Sequence, residues 1–378
     1  CPRISDVYLM EKILKYLGAE TWWEGQDLYL DCSHADGTMI PECYSGKMRS
    51  SVILMGAMLG RSKKAQTGYP GGCVIGKRPV DLHIQVLRRL GAAVVENGGM
   101  IRASCGKLRG AEMFFQKRSV GATEQGILAA VLAEGKTVLN GCACEPEIYW
   151  LCHYLTGMGA KIRIRENGCI CIEGVEKLEA GDGCIPPDRI VAGTYMAAVA
   201  ACGGSVYLQG VTPSLCRGFL DVFTGMGMDI RMEGEAMLVQ MYHRPVNLHK
   251  ICTGAYPDFP TDMQSMVLSV ASVGEGTLIL KEQIFENRFK TVPWLKKMGA
   301  DITLSGDSVL VKGVETLKGS EVYGEDLRGT AALIIAGLAA QETTVIHDAD
   351  YIFLKGIQMG VCAVLALITG LLYARFAA

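Results

Sequence analysis

The sequence has almost no net charge, no recognisable secretory signal and no cysteine spacing of a small disulfide-bonded domain. Its 37 Lys and Arg residues nearly balance its 39 Asp and Glu residues. No overall field therefore attracts nucleic acid or an acidic membrane surface, and any anion site must be local. Fifteen cysteines are an odd number, which favours a reducing cytoplasm over a disulfide framework. We expect a cytoplasmic protein without a nucleic-acid partner.

Metal-ligand spacing is also missing. The C-x-C pairs Cys142/Cys144 and Cys169/Cys171 have no histidines at metal-binding distance in the sequence, so each is a weak signal for a metal. The second pair lies in an alternating apolar segment that is typical of a strand. We interpret these cysteines as core residues and expect neither a metal nor a cofactor.

What the sequence does contain is a repeat of about 70 residues. In each copy an amphipathic helix runs into a glycine beside Leu or Met, and alternating apolar residues follow. Glycine at that place permits a left-handed helix cap, and the alternation predicts strand pairs. The five glycines are Gly18, Gly91, Gly159, Gly227 and Gly299.

A nearly uncharged helix precedes most of these glycines by roughly 40 residues. Helices that are apolar all round must be buried inside a layer of sheets and amphipathic helices. Their first turns are seats for anions, although Ser, Asp or Thr there is more often only a helix cap. The openings lie at Arg49, Ser119, Asp188, Asp262 and Asp326, and the arginines at or near them are Arg49, Arg78, Arg189 and Arg328.

The Gly- and Pro-rich segment from Glu179 to Asp188 is the candidate domain crossing. We predict a first repeat domain over 1–183, a second over 184–350 and an atypical apolar segment over 351–378. Two similar halves predict a ligand cleft between them. The repeat also predicts a further half-repeat before residue 1. The uncharged stretch 357–373 is at the lower limit for a membrane anchor; a buried helix or an aberrant end are the alternatives, and we favour the last.

The segment from Tyr69 to His83, YPGGCVIGKRPVDLH, is too rich in glycine for a helix or strand. We predict a surface loop that presents Cys73, with Lys77 and Arg78 close behind. A thiol near fixed positive charge is a candidate reactive group. The spacing from Gly71 to Lys77 imitates a phosphate-binding P-loop, but Arg78 replaces the required hydroxyl and no apolar strand precedes it.

Taken together, these motifs resemble the UDP-N-acetylglucosamine enolpyruvyl transferases of the EPSP synthase superfamily. The resemblance covers about residues 1 to 350 and includes, in order, PGGCVIGKRPVDLH, KRSVGAT, EPEI, PDRIVAGTY, FPTDMQ, IFENRF and EDLRGTAAL. It implies a two-domain inside-out α/β barrel, in which βαβαββ units surround buried helices. That architecture agrees with the repeat.

The resemblance implies a reaction as well. The enolpyruvyl group of phosphoenolpyruvate moves to the 3'-hydroxyl of UDP-N-acetylglucosamine through a tetrahedral ketal, and phosphate is released, as the first committed step of peptidoglycan synthesis. Cys73 would protonate the methylene carbon and form a pyruvate adduct. Asp262 would be the base, with its pKa raised or with a mainly orienting role. Arg49, Arg78 and Arg328 would hold phosphate and carboxylate.

The resemblance implies that the sugar nucleotide contacts residues of the family's motifs: Arg78, Pro79, Val80, Asp81, Leu82, Lys117, Ser119, Val120, Gly121, Asp262 and Ile284. Structural roles are equally open for other motif residues. His83 would then only anchor the loop, Glu145 and Glu147 would cap a helix, and Arg288 would form a structural ion pair.

The sequence departs from the family pattern at three points. The family's N-terminal Lys-Asn motif would lie in the segment expected before residue 1, the C-terminal Arg-Gly-Tyr motif is replaced around Lys355 and Gly356, and Val191 stands where Glu is usual. Two lost cations would weaken transition-state stabilisation. The alternative function is therefore a non-catalytic protein that binds a UDP-sugar.

Overall fold

A computed structural model describes the protein except for residues 73–75, 77, 166–167 and 350–378. Two compact units divide the described chain, one formed by Cys1–Gly72 and Arg78–Pro186 and the other beginning at Pro187. Each unit has its own hydrophobic core and mixes helices with sheets, which confirms the predicted α/β class.

The first unit contains two four-stranded sheets and a separate hairpin. In chain order its elements are α1 (Ser5–Tyr16), β1 (Glu20–Glu24), β2 (Asp27–Asp31), β3 (Met39–Ile40), α2 (Glu42–Ser45), the 3₁₀ helix Arg49–Val52, α3 (Leu54–Ser62), β4 (Lys64–Gly68), α4 (Asp81–Arg89), β5 (Ala93–Asn97), β6 (Met100–Ser104), β7 (Glu112–Phe114), α5 (Val120–Ala130), β8 (Lys136–Asn140), α6 (Pro146–Gly157), β9 (Lys161–Ile164) and β10 (Ile170–Glu173). The strand orders of the two sheets are β3-β4-β6-β5 and β7-β8-β10-β9, and the hairpin is β1-β2.

The second unit contains the elements α7 (Arg189–Cys202), β11 (Gly204–Gln209), α8 (Arg217–Gly225), β12 (Asp229–Glu233), β13 (Ala236–Met241), β14 (Lys250–Cys252), the 3₁₀ helix Thr261–Met263, α9 (Gln264–Val273), β15 (Thr277–Lys281), α10 (Val292–Lys297), β16 (Asp301–Ser305), β17 (Ser308–Lys312), β18 (Leu317–Lys318), β19 (Glu321–Tyr323), α11 (Leu327–Ala339), β20 (Ala340–Gln341) and β21 (Val345–His347). Its strands form the sheets β11-β13-β12 and β14-β15-β17-β16 and the parallel pairs β18-β20 and β19-β21.

The nearly uncharged helices lie inside their units, as predicted. Every residue of α9 is buried, and so is every residue of α5 from Ala122 to Ala130. In the second unit α7, α9 and α11 pack against one another, and in the first unit α3 packs against α5. The helices at Arg49 and Asp262 open with a 3₁₀ turn, which the sequence pattern did not predict.

The repeated glycines end helices in the left-handed conformation. Their φ angles lie between 91° and 102°, and in each case the helix ends two residues before the glycine. Side chains other than glycine enter this region at a steric cost, so the glycine is locally required. The predicted cap is therefore confirmed at Gly18, Gly91, Gly159, Gly227 and Gly299.

The sheets turn one face to the core through strict alternation. In the second unit Leu278 is paired with Val311, and Leu280 with Val309, and all four side chains are at most 1% exposed. Each such side chain contributes about 1.5–3 kcal/mol when it leaves water. A one-residue slip of β17 would turn these valines to solvent, so burial determines the register.

Of the two C-x-C pairs, Cys142 and Cys169 are buried, whereas Cys144 and Cys171 are partly exposed, so the predicted core role holds for one member of each pair. The thirteen that the structure describes are free thiols, and the Sγ atoms of Cys169 and Cys171 lie 3.9 Å apart. Among the described residues, no group of three or more His, Cys, Asp and Glu side chains is arranged to hold a metal. No helix in that part of the chain is long and apolar enough to cross a membrane. The apolar stretch 357–373 lies outside the described residues.

Candidate active site

Cys73 and Lys77 lie outside the described residues, but both flanks of their loop are described. On the N-terminal side the Gly71 amide donates to the Ser45 carbonyl at 2.9 Å. On the C-terminal side the Arg49 guanidinium donates to the carbonyls of Arg78 at 2.7 Å and Pro79 at 2.9 Å. The short segment 45–49 therefore holds the chain before and after the predicted reactive loop.

Arg49 acts on the main chain in this structure. Burial and the neighbouring charge of Arg78 lower the pKa of Arg49 to about 10, yet the side chain stays charged at neutral pH. Its two recorded hydrogen bonds go to carbonyl oxygens rather than to an acid. The predicted contact of Arg49 with the substrate stays a prediction. In addition, its hydrogen bonds orient the main chain at Arg78 and Pro79.

The residues after Arg78 lead into α4. Pro79 and Asp81 are exposed and Leu82 is half-buried, whereas the Val80 side chain is 6% exposed and belongs to the core. Val80 is therefore suited to contact a ligand mainly through its main chain. A cavity of about 320 Å³ lies beside this turn, lined by Tyr69, Pro79, Val80, Asp81, Ile84, Gln85, Arg88 and Glu96.

The opening of α5 carries the next predicted group. Ser119 is the N-cap, and its hydroxyl accepts from the Ala122 amide at 3.4 Å. Lys117 before it is exposed, while Val120 and Gly121 form the first turn. Amide groups in a first helical turn favour negative charge. An exposed lysine beside such a turn is suited to bind a phosphate, and contact of these residues with the substrate stays a prediction.

A cluster of three carboxyl groups was missed in the sequence. Glu124 of α5 is only 3% exposed, and its Oε1 atom has no hydrogen-bond partner in the described chain. Burial, together with the charges of Glu147 and Glu145, raises the pKa of Glu124 to about 8. Glu145 is the N-cap residue of α6, but its side chain makes no capping hydrogen bond. The predicted capping role is therefore not observed for that side chain.

In the second unit, Asp262 is held by two buried arginines. Arg288 forms a close ion pair with one carboxylate oxygen, and Arg328 donates to the other at 3.4 Å. The arginine side chains are 4% and 5% exposed, whereas that of Asp262 is 30% exposed. Arg288 therefore forms an ion pair with Asp262, which is the structural role that the sequence analysis left open for it.

The charges of Arg328 and Arg288 keep the carboxyl group of Asp262 ionised. Burial alone would favour the neutral acid, but the charges of Arg328 and Arg288, the hydrogen bond from Arg288 and the charge of Arg189 outweigh it. The pKa of Asp262 therefore lies well below its usual range. A strongly depressed pKa makes a weak proton acceptor. This environment favours orientation over proton abstraction, and it leaves more positive than negative charge around the carboxylate.

Two further carboxylates, those of Asp326 and Glu282, bind the chain segments next to Asp262 and Arg328 through hydrogen bonds. Asp326 caps α11 by accepting from the amides of Arg328 and Gly329, both at 3.0 Å, as its position at a helix opening predicted. Glu282, 4% exposed, accepts from the Ile284 amide at 2.8 Å and from the Thr261 hydroxyl at 3.0 Å.

Glu282 therefore links the turn at Ile284 to the 3₁₀ helix of Asp262. The sequence analysis missed it. Its position at the end of an alternating strand, just before an irregular segment, was the available signal.

Known proteins resemble this chain over most of its length. The family profile of EPSP synthase (3-phosphoshikimate 1-carboxyvinyltransferase) matches residues 1–353. The UDP-N-acetylglucosamine 1-carboxyvinyltransferase 2 of Caldanaerobacter subterraneus subsp. tengcongensis is 41% identical over 352 residues, which are 93% of this chain and 84% of that protein. A UDP-N-acetylglucosamine 1-carboxyvinyltransferase of a Wolbachia species is 38% identical with the same shares of each chain.

Solved structures share the fold. The enolpyruvyl transferase NikO from Streptomyces tendae aligns with a TM-score of 0.81 at 19% identity, over 93% of this chain and 84% of that chain. EPSP synthase from Acinetobacter baumannii aligns with a TM-score of 0.70 at 19% identity, over 93% of this chain and 85% of that chain. At this level of identity the likeness establishes the fold alone.

Proposed function

The chain belongs to the EPSP synthase family and, within it, to the UDP-N-acetylglucosamine 1-carboxyvinyltransferases, and on this premise we propose its reaction. It transfers the enolpyruvyl group of phosphoenolpyruvate to the 3'-hydroxyl of UDP-N-acetylglucosamine and releases phosphate. The observation that carries the proposal is the 41% identity to a transferase of that name across 93% of the chain. No described feature favours the alternative of a non-catalytic binding protein.

In the proposed reaction Cys73 supplies the proton for the methylene carbon of phosphoenolpyruvate. The 3'-hydroxyl oxygen adds to the neighbouring carbon and its proton passes to the phosphate group, which gives a tetrahedral ketal. Loss of a proton from the former methylene carbon and departure of phosphate then restore the double bond. Arg49 donates hydrogen bonds to the carbonyls of Arg78 and Pro79, and the positive charge of these arginines stabilises the Cys73 thiolate that remains after the proton has been donated.

Asp262 and Arg328 have complementary roles in this proposal. The permanently ionised Asp262 carboxylate accepts a hydrogen bond from the sugar hydroxyl and orients it. Arg328 and Arg288 neutralise that carboxylate and leave surplus positive charge for the anionic substrate. Fixed charge of this kind stabilises charge that develops in a transition state.

The sugar nucleotide is proposed to bind along two segments of the first unit. The segment 78–82 leads into α4, and Lys117, Ser119, Val120 and Gly121 open α5. The exposure of Lys117 and Asp81 and the free amides of a first helical turn support this assignment. Ile284, half-buried in the second unit, is the remaining proposed contact.

We also propose a cellular role that the resemblance implies. The product would enter peptidoglycan synthesis and so serve cell-wall biogenesis, cell shape and division. A cytoplasmic location is supported by the thirteen free thiols among the described residues. A pyruvate adduct on Cys73 is expected as a covalent state and is detectable by peptide mass spectrometry.

The decisive test is phosphate release by the purified protein. We expect release from phosphoenolpyruvate only when UDP-N-acetylglucosamine is present, and none from Cys73→Ser. Cys43→Ser is the matched control, because it makes the same substitution at an exposed thiol that has no role in the proposed reaction. A folded wild-type protein that binds the nucleotide but releases no phosphate would instead support the non-catalytic alternative.

A further inference from the structure

His83 of α4 forms a buried link between three segments of the first unit. Its ring is 4% exposed, and the Gln125 side chain on α5 is fully buried. The His83 Nδ1 atom lies 2.5 Å from Gln125 Oε1. The Nε2 group of Gln125 then donates to the Val52 carbonyl at 3.2 Å. Two consecutive hydrogen bonds therefore join α4, α5 and the 3₁₀ helix Arg49–Val52.

The direction of these hydrogen bonds determines the tautomer of His83. A carbonyl oxygen can only accept, so the Gln125 amide nitrogen must face Val52 and its oxygen must face the imidazole. That oxygen also only accepts, so Nδ1 of His83 carries the hydrogen. Burial, with the charges of Arg49 and Arg78, lowers the pKa of His83 to about 4 against the opposing effects of Gln125 and Asp81. The ring is neutral at physiological pH, and Nε2 has a lone pair.

The other side of the ring packs against the opening of α5. A methyl group placed on Gly121 would lie 3.0 Å from Cε1 and 3.2 Å from Nε2 of His83. These distances are tighter than ordinary van der Waals contact, so the glycine permits the close approach. His83 thus touches α5 at Gly121 and, one turn later, at Gln125.

Each of the three linked segments carries residues of the proposed nucleotide site. The 3₁₀ helix begins with Arg49, which holds the carbonyls of Arg78 and Pro79. Helix α4 directly follows Pro79 and Val80, and α5 opens at Ser119. A hydrogen-bonded side chain shared by all three fixes their relative positions more precisely than apolar packing does, because its geometry is directional.

We propose that His83, as the neutral Nδ1-protonated ring, is a positioning residue that holds the 78–82 segment and the opening of α5 in register for the sugar nucleotide. The inference rests on the proposed function for the identity of the ligand. A residue that only fills the core would affect folding and leave the affinity of the folded protein unchanged. A positioning residue changes nucleotide affinity in protein that is fully folded.

Two substitutions separate these roles in the full-length protein. His83→Asn places an amide N–H near the position of Nδ1 and keeps the donor to Gln125, whereas His83→Leu removes it. We expect His83→Leu to raise the Kd and the KM for UDP-N-acetylglucosamine about tenfold, which corresponds to a loss of about 1.4 kcal/mol in binding free energy. His83→Asn should stay within about threefold of wild type, because it restores the directional bond. His153→Leu on the exposed side of α6 is the matched control.

Calorimetry gives the Kd, and steady-state kinetics give the split between KM and kcat. An unchanged Kd in folded His83→Leu, or a fall in kcat at constant KM, overturns the proposal. Should His83→Leu fail to fold, wild-type nitrogen NMR decides: a ring protonated at Nε2, or one that titrates between pH 6 and 8, overturns it. Protonation at Nδ1 throughout, with the affinity retained in His83→Asn, supports it.

The wild-type binding measurement distinguishes the two possible failures. Wild-type protein that binds no UDP-N-acetylglucosamine overturns the proposed function and, with it, the ligand assigned to His83. Wild-type binding with normal affinity in His83→Leu overturns only the positioning role.

Discussion

The two arginine-containing clusters use positive charge in different ways. In the first unit Arg49 donates to neutral carbonyl oxygens of Arg78 and Pro79, so its charge remains available to an anion. In the second unit Arg288 and Arg328 share the carboxylate of Asp262, so much of their charge is balanced. The hydrogen bonds of Arg49 thus shape the main chain at Arg78 and Pro79, whereas Arg288 and Arg328 hold the fixed carboxylate of Asp262.

The sharpest test of this contrast removes the anion of the second unit. Asp262→Ala leaves Arg288 and Arg328 buried without their acid, and we expect a loss of about 3 kcal/mol in the free energy of unfolding. Urea unfolding measures it. Asp307→Ala is the control, because the Asp307–Lys281 pair is exposed at both ends and its removal should change stability little. A loss for Asp262→Ala no larger than the control would contradict the described role of the pair.

The first unit has its own buried acid, and here the expected sign is reversed. The pKa of Glu124 is raised from 4.5 to about 8, so the folded protein binds the proton more tightly than the unfolded chain. Stability is therefore greatest at low pH and declines as the pH rises from 4.5 to 8. Glu124→Gln removes that decline and should stabilise the protein at pH 8 by on the order of 2 kcal/mol.

Thermal or urea unfolding at pH 5 and pH 8 measures this effect. The gain should be much smaller at pH 5, where Glu124 of the wild-type protein is protonated in the folded state and about a quarter of it is still neutral in the unfolded chain. Glu134→Gln, which changes an exposed acid of the same unit, should show little pH-dependent gain. An equal gain at both pH values would exclude titration of Glu124 as the cause.

Arg49 tests whether the first cluster shapes the main chain. Arg49→Met keeps much of the stem but loses both hydrogen bonds to carbonyls, and we expect a cost of about 1.5 kcal/mol in unfolding free energy. The Kd for UDP-N-acetylglucosamine should rise as well. Arg89→Met on the exposed side of α4 should change neither quantity. Weaker binding without any loss of stability would indicate that Arg49 acts only on the ligand.

The smallest effect should be the same in both units. Gly91→Ala and Gly227→Ala each force a side chain into φ angles of 91° and 102°, at a cost of about 1 kcal/mol. No atom lies within 4 Å of a methyl group at Gly91, so backbone strain alone determines the loss there. Gly157→Ala, at a helix end with ordinary φ, should be neutral or slightly stabilising. Unequal losses of unfolding free energy at Gly91 and Gly227 would show that the two units differ at their helix ends as well as in their arginine-containing clusters.

Features that depend on neighbours in the chain were predictable. The capping glycines, the caps at Ser119, Asp188 and Asp326 and the buried helices follow from φ preference, side-chain reach and uniform apolarity. The family motifs assigned Cys73 and Asp262 to an enolpyruvyl transfer, and their roles are predictions, as are the reactive loop, the sugar-nucleotide contacts and the domain boundaries.

Contacts between distant residues were not predictable. Arg288 is 26 residues from Asp262, Arg328 is 66 residues away, and Gln125 is 42 residues from His83. Such partners are chosen by packing, which no local pattern encodes. One of the two roles expected for Asp262 was that of a base with a raised pKa. The sequence could not decide between them, because the direction of the pKa shift depends on which charged groups lie close to the carboxylate.

The sequence by itself determined the repeat, the class of fold, the family and the candidate chemical groups, since each is written in spacing, local conformational preference or motif. Tertiary structure alone decided the electrostatic states: an ionised Asp262, a largely protonated Glu124 and a neutral His83. The physical reason is that protonation depends on burial and on charges within a few ångströms, and these arise only when separated segments pack together.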